Sequence, residues 1–205
     1  MVILTQDQSR RIEQAVQAAE TTTSAEIAVC VRGASGDDRF LSAIIGAVVF
    51  MAIDTIGPAI WWNYDRLVWV GVALVAAILV FWLCDRLDLG LRCLPAWLLV
   101  KDARRAARAI FLDSGLDNTP ERNAIMLFVS RAERYVEILP DRAAAAAIEP
   151  AHWSVIVNGF RQAARKGDLG EAVADAVAAI GQICAVHFPA SGANPDRVSN
   201  QPIEG

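Results

Sequence analysis

From Leu4 to Glu20 the apolar residues Ile12, Ala15, Val16 and Ala19 recur at helical spacing, which predicts an amphipathic helix with one buried face. Thr5, followed three residues on by Gln8, is a capping-box pattern and sets its start. Past the polar run Thr21 to Ser24, the β-branched stretch from Glu26 to Val31 reads as a short buried strand, and Gly33 to Asp38 as the loop that follows it. The pattern then changes character. Leu41 to Trp62 is almost wholly apolar, and Leu67 to Cys84 contains no polar side chain. As helices these runs would be roughly 33 Å and 27 Å long, close to the hydrocarbon thickness of a bilayer. Only Asn63, Tyr64, Asp65 and Arg66 lie between them, which predicts a tight transmembrane hairpin.

Aromatic residues fall where a membrane interface would put them. Trp61, Trp62, Tyr64 and Trp69 cluster at the turn, and Phe81 and Trp82 near the other end. Outside the turn stand Arg32, Arg39, Arg86, Arg92, Lys101, Arg104 and Arg105, against Arg66 alone within it. The positive-inside rule therefore places both termini in the cytoplasm, at an inner (plasma) membrane crossed twice. No charged-then-apolar leader precedes the first span, so that span is expected to act as the targeting signal. Asp54 lies inside it, and Gly57 and Pro58 are expected to loosen the helix there. An ion relay at Asp54 would need partners that two helices do not supply; Arg66 or interfacial water is its expected neighbour.

Leu89 to Val100 is apolar, too short to span, and broken by Arg92 and Pro95, as an interfacial segment would be. It runs into a helix with Lys101, Arg104, Arg105 and Arg108 on one face and Ala103, Ala106, Ala107, Ile110 and Phe111 on the other. That basic face suits anionic headgroups or plain solvent, while the apolar face suits protein or lipid. Ser114-Gly115 closes the helix. Ala124 to Val129 reads as a strand covered on both faces, and Tyr135 to Leu139 as its antiparallel partner. Three helical patterns follow: an alanine run at 142–148, a stripe of Trp153, Ile156, Val157, Phe160 and Ala164, and a stripe from Leu169 to Cys184 capped by Asp168. From Phe188 the composition is that of a disordered tail.

Neither soluble half supplies a fold alone, so the expected architecture is one α/β sheet with helices on both faces, assembled across the hairpin. Composition agrees once it is localised. The chain is 55% hydrophobic, yet residues 41–84 carry only Asp54, Asp65 and Arg66 as charges, and the remainder has the balance of a soluble domain. A net charge of −4 gives no overall positive field for nucleic acid. Cys30, Cys84, Cys93 and Cys184 have no CxxC spacing, which favours reduced thiols over a zinc site.

Candidate chemistry is sparse. Asp113, Asp117, Glu133 and Asp141 are the carboxylates placed to hold a divalent cation, with Asp141 the leading metal ligand. Asp113 and Asp117 also suit turns, Glu133 a solvated hairpin tip, and Asp141 a helix cap. Arg131 and Arg134 at that tip are candidate anion-binding residues. His152 and His187 have no Ser, Cys or Asp at a catalytic spacing.

The segments LTQDQSRRIEQAVQAAETTTSAEIAVCV and ARRAARAIFLDSGLDNTPERNAIMLFVSRAERYVEIL, with Asp141 and the stretch from Trp153 to Pro189, resemble the TPM domain family. That resemblance implies an α/β/α sandwich. It also implies phosphatase activity as claimed for some plant members, divalent-metal binding (Ca²⁺ or Mg²⁺) as for some bacterial ones, and accessory roles towards membrane complexes. Relatives often carry Gly-x-Gly-Leu-Glu after the second hairpin; here the stretch is Leu139-Pro140-Asp141-Arg142-Ala143-Ala144, and Ala25 replaces a frequent glycine. The expected organisation is residues 1–38 as the first part of the domain, 39–86 as the transmembrane hairpin, 87–112 as interfacial segment and basic helix, 113–188 as the second part, and 189–205 as the tail. The expected role is an accessory or scaffold protein whose partners are the lipid bilayer and a membrane protein; a metal-dependent phosphatase is the alternative.

Overall fold

The structure, a computed structural model, describes residues 4–34, 39–60, 65–86, 95–190 and 200–204. In chain order its elements are α1 (Gln6–Glu20), β1 (Ile27–Arg32), α2 (Arg39–Ile60), α3 (Arg66–Arg86), α4 (Ala96–Asp113), β2 (Ile125–Ser130), β3 (Tyr135–Pro140), α5 (Arg142–Ala147), α6 (Pro150–Lys166), α7 (Leu169–His187) and β4 (Ile203–Glu204). They form two compact units, Gly36–Leu99 and the flanking Met1–Ser35 with Val100–Gly205.

The larger unit is built on one sheet in the order β3-β2-β1-β4. β1 and β2 run parallel, from Ile27 opposite Ile125 to Arg32 opposite Ser130. β2 and β3 form the expected antiparallel hairpin, with Ser130 opposite Tyr135 and Ile125 opposite Pro140. Alternation divides the side chains between two cores. Ile27, Val29 and Val31 of β1, with Ile125, Leu127 and Val129 of β2, pack on α1, α6 and α7. Ala28, Cys30, Met126 and Phe128 pack on Ala103, Ala107 and Phe111 of α4. Every residue of β2 is buried because both faces are covered, and the fold is an α/β/α sandwich.

Local chemistry sets the helix ends. The Thr5 hydroxyl accepts from the Gln8 amide at 3.3 Å and the Thr5 amide donates to Gln8 Oε1 at 2.9 Å, completing the capping box. Asp168 caps α7 by accepting from the Gly170 amide at 2.9 Å. Gly115 follows α4 at φ 69°, a left-handed conformation that glycine adopts at little cost.

Two expectations are corrected, the extent of the interfacial segment and the disordered tail. The basic helix, whose apolar face was expected against protein or lipid, contributes a layer of the sandwich, with Ala103, Ala107 and Phe111 buried against the sheet. It also starts at Ala96, directly after Pro95, so Ala96 to Val100 belong to it; a proline just ahead of a helix removes no internal hydrogen bond. At the chain's end, Ile203 and Glu204 pair in parallel with Cys30 and Val31, where a disordered tail was expected. Ile203 adds apolar surface to the α4-side core, which residue composition alone does not reveal.

In the smaller unit α2 and α3 pack antiparallel. A side chain at Gly46 would approach Ala77 and Phe81, and one at Gly57 would meet the Trp69 ring at 2.4 Å. α2 continues through Gly57 and Pro58 to Ile60, so Gly57 is a packing position and not the expected loosened point. Asp54 meets Arg66, Oδ2 to Nη2 3.9 Å. Trp61, Trp62 and Tyr64 of the aromatic cluster, and Arg92 and Cys93, lie outside the described residues. Cys30, Cys84 and Cys184 are buried free thiols.

Candidate functional site

The β2–β3 turn brings Arg131 and Arg134 to one cavity of about 640 Å³, and α6 adds Arg161 and Arg165 to its walls. Its apolar lining includes Val129 and Val136 from the sheet and Phe160 from α6. The cavity sits beyond the carboxyl end of β2, where open α/β sheets commonly place ligands. Arg134 holds φ 51°, a left-handed conformation costly for a side chain with a Cβ. Among the described residues, the guanidinium groups of Arg134, Arg161 and Arg165 have no ion-pair partner.

Arg161 and Arg165 were not singled out in the sequence, because attention to the Trp153 stripe reads only the buried face of α6. Their i, i+4 spacing on the polar face was the available signal. Glu133 corrects the expectation of a solvated turn charge: it is buried, and the Ser130 hydroxyl donates to its carboxylate.

Asp141 lies at the other end of the hairpin. It follows β3 and precedes α5, its amide donating to the Ala124 carbonyl at 2.8 Å. The residue is buried, its side chain makes no capping bond, and Oδ2 has no hydrogen-bond partner. It thus holds the cap position without capping through its carboxylate. The length of β3, about 20 Å at the rise of an extended strand, separates Asp141 from the Arg131–Arg134 turn. The structure does not bring the candidate metal ligand and the candidate anion residues together.

The orphaned Oδ2 is the feature that would suit a cation. Ca²⁺ takes six to eight oxygen ligands and Mg²⁺ six. Among the described residues no group of three His, Cys, Asp or Glu side chains stands close enough to hold a metal ion. Asp141 alone therefore does not supply the donor set of a divalent-metal centre. Asp113 is exposed at the end of α4, and the Asp117 carbonyl accepts from Arg122 Nη1. His152 and His187 are exposed at the start of α6 and the end of α7.

On the opposite face Tyr135 donates to Glu137 Oε2 at 2.6 Å, and Arg104 Nε donates to the Tyr135 hydroxyl at 3.3 Å. Arg104 also lies 3.7 Å from Glu137. Burial, reinforced by the bond to Glu137, raises the Tyr135 pKa above its ordinary value. The cluster fastens α4 to β3.

Residues 98–183 match the family model described as TPM domain, a segment running from α4 nearly to the end of α7. Among solved structures, the NMR structure of the BA42 protein from the psychrophilic bacterium Bizionia argentinensis superposes with a TM-score of 0.61 at 18% identity. That match covers 98% of this chain and 95% of the other, and its content is the shared fold. No curated protein matches the chain.

Proposed function

We propose, on the premise that the chain carries a TPM domain, that it is an accessory protein of the inner membrane, anchored by the α2–α3 hairpin with both termini and the domain in the cytoplasm. The observation that carries this reading is where the apolar surface lies. Among the described residues, three helices are long and apolar enough to cross a membrane: Ser42–Ile60, Arg66–Arg86 and Leu169–His187. The third is α7, whose Val173, Ala176, Val177, Ile180 and Cys184 are buried in the sandwich. The other two leave most of their side chains outside, and sixteen of the twenty-one exposed large apolar residues among those described belong to them, including Met51, Leu67, Val75, Leu79 and Trp82. Fully burying one such side chain is worth about 1.5–3 kcal/mol, so covering what these sixteen leave exposed is worth up to tens of kcal/mol that water forgoes. A bilayer supplies that gain.

The accessory role is supported by the separation of Asp141 from Arg131 and Arg134, which stand at opposite ends of β3 and so do not form one cation-and-anion clamp. The orphaned Asp141 oxygen favours the phosphatase alternative, with Ca²⁺ or Mg²⁺ as its cofactor. Two measurements on the full chain test the proposal. The protein should stay in the membrane pellet after alkaline carbonate extraction, and release from the pellet would refute anchoring. The detergent-purified protein should show no phosphomonoester turnover with or without Ca²⁺ or Mg²⁺; metal-dependent turnover abolished by Asp141→Ala would replace the accessory reading with the enzymatic one.

A further inference from the structure

We infer that the arginine-walled cavity is the docking site of an acidic peptide segment in a partner protein, one with an apolar anchor residue between flanking carboxylates. The inference rests on the accessory reading and specifies the chemistry of the partner. Four arginines line this cavity on a chain whose net charge is −4, so the local basic field is built against the overall balance. Three of them, Arg134, Arg161 and Arg165, have no ion-pair partner among the described residues, which leaves their charge available to an incoming anion.

Arg131 and Arg134 come from the β2–β3 turn, and Arg161 and Arg165 from one face of α6. Cations on two separate walls suit several carboxylates spaced along a chain better than one compact ion. Arginine favours carboxylate through its planar two-pronged donor. Half-buried Ala164 and Leu169, lying over the core residues Val129, Val136 and Phe160, give the space between them an apolar lining, which a peptide's hydrophobic side chain would cover. A site for a small polar ion alone would have no use for that lining. β3 is also the outer strand of the sheet, so an extended segment has an edge to follow. The left-handed φ of 51° at Arg134 is a position where glycine would be easier, yet a long cation stands there.

The probe is a fluorescent pentapeptide with a central phenylalanine between pairs of acidic residues, titrated into the detergent-purified full chain and read by anisotropy. Saturable binding that weakens with added salt is expected. The double variant Arg161→Gln/Arg165→Gln should weaken it about tenfold, while Arg10→Gln/Arg108→Gln, with the same change in net charge, should not. Replacing the central phenylalanine of the probe by glycine should also weaken binding. Arg134→Gly should lose affinity while its Tm holds or rises, an outcome that a purely structural role for Arg134 would not give. Absent binding, or equal loss in both double variants, overturns the inference, as does tight binding of phenyl phosphate with none of the peptide. Membrane extraction is read separately: a chain retained in the pellet that ignores the peptide fails this inference alone, and one that binds the peptide but leaves the pellet fails the anchoring reading alone.

Discussion

Gly181 sits where α7 meets α1 so closely that an added Cβ would lie 2.6 Å from the Cβ of Ala19 and 3.2 Å from its Cα. Neither atom is the end of a flexible side chain, so Gly181→Val should cost about 1–3 kcal/mol by overpacking, measured by denaturant unfolding. Unchanged stability would mean that the two helices do not pack as described. The buried thiols give a second residue-level prediction. Burial pushes Cys30 up to about 11, with a smaller opposing pull from Arg32, and burial pushes Cys184 up to about 12. Because the folded values exceed the unfolded one, both thiols stay neutral in the fold while the unfolded chain ionises from about pH 9. Their share of stability is intact below that pH and is lost as pH rises through the folded values. Stability measured between pH 9 and 12 should fall, and should fall less steeply in Cys30→Ala/Cys184→Ala. Local signals such as the Thr5–Gln8 box and the Asp168 cap were legible in the sequence because both partners lie within a few residues. The burial of Glu133 and the placing of Arg134 and Arg165 at one cavity depend on a turn and a helix end joined only by folding.

At the scale of elements, periodicity located α1, β1, the β2–β3 hairpin and the three C-terminal helices, since each has a face or strand pattern dictated by its own core. It left the surroundings of α4 open between protein and lipid. An alanine-rich face beside arginines fits a membrane surface and a sandwich layer equally well until the sheet it covers is known. β4 was illegible for a related reason: two residues carry no period, and only the open side of β1 gives Ile203 and Glu204 a place. Removing residues 200–205 should therefore speed amide hydrogen exchange around Cys30 and Val31 and leave β2, inside the sheet, protected. Equal protection of β1 in both chains would show that β4 adds nothing to the edge.

For the whole molecule, the division into Gly36–Leu99 and a sandwich assembled from both flanks means that the hairpin interrupts the domain without supplying its two cores. A chain in which a short Gly/Ser linker joins Ser35 to Val100 should be soluble, monodisperse and cooperatively folded; aggregation with loss of the unfolding transition would contradict that independence. The most direct test of the account is the topology of the intact chain, using paired reporters fused after Asn63 and at Gly205, one active only outside the cytoplasm and one only inside it. The account predicts an external signal after Asn63 and a cytoplasmic signal at Gly205. An external C-terminus, or the same side at both positions, would contradict it.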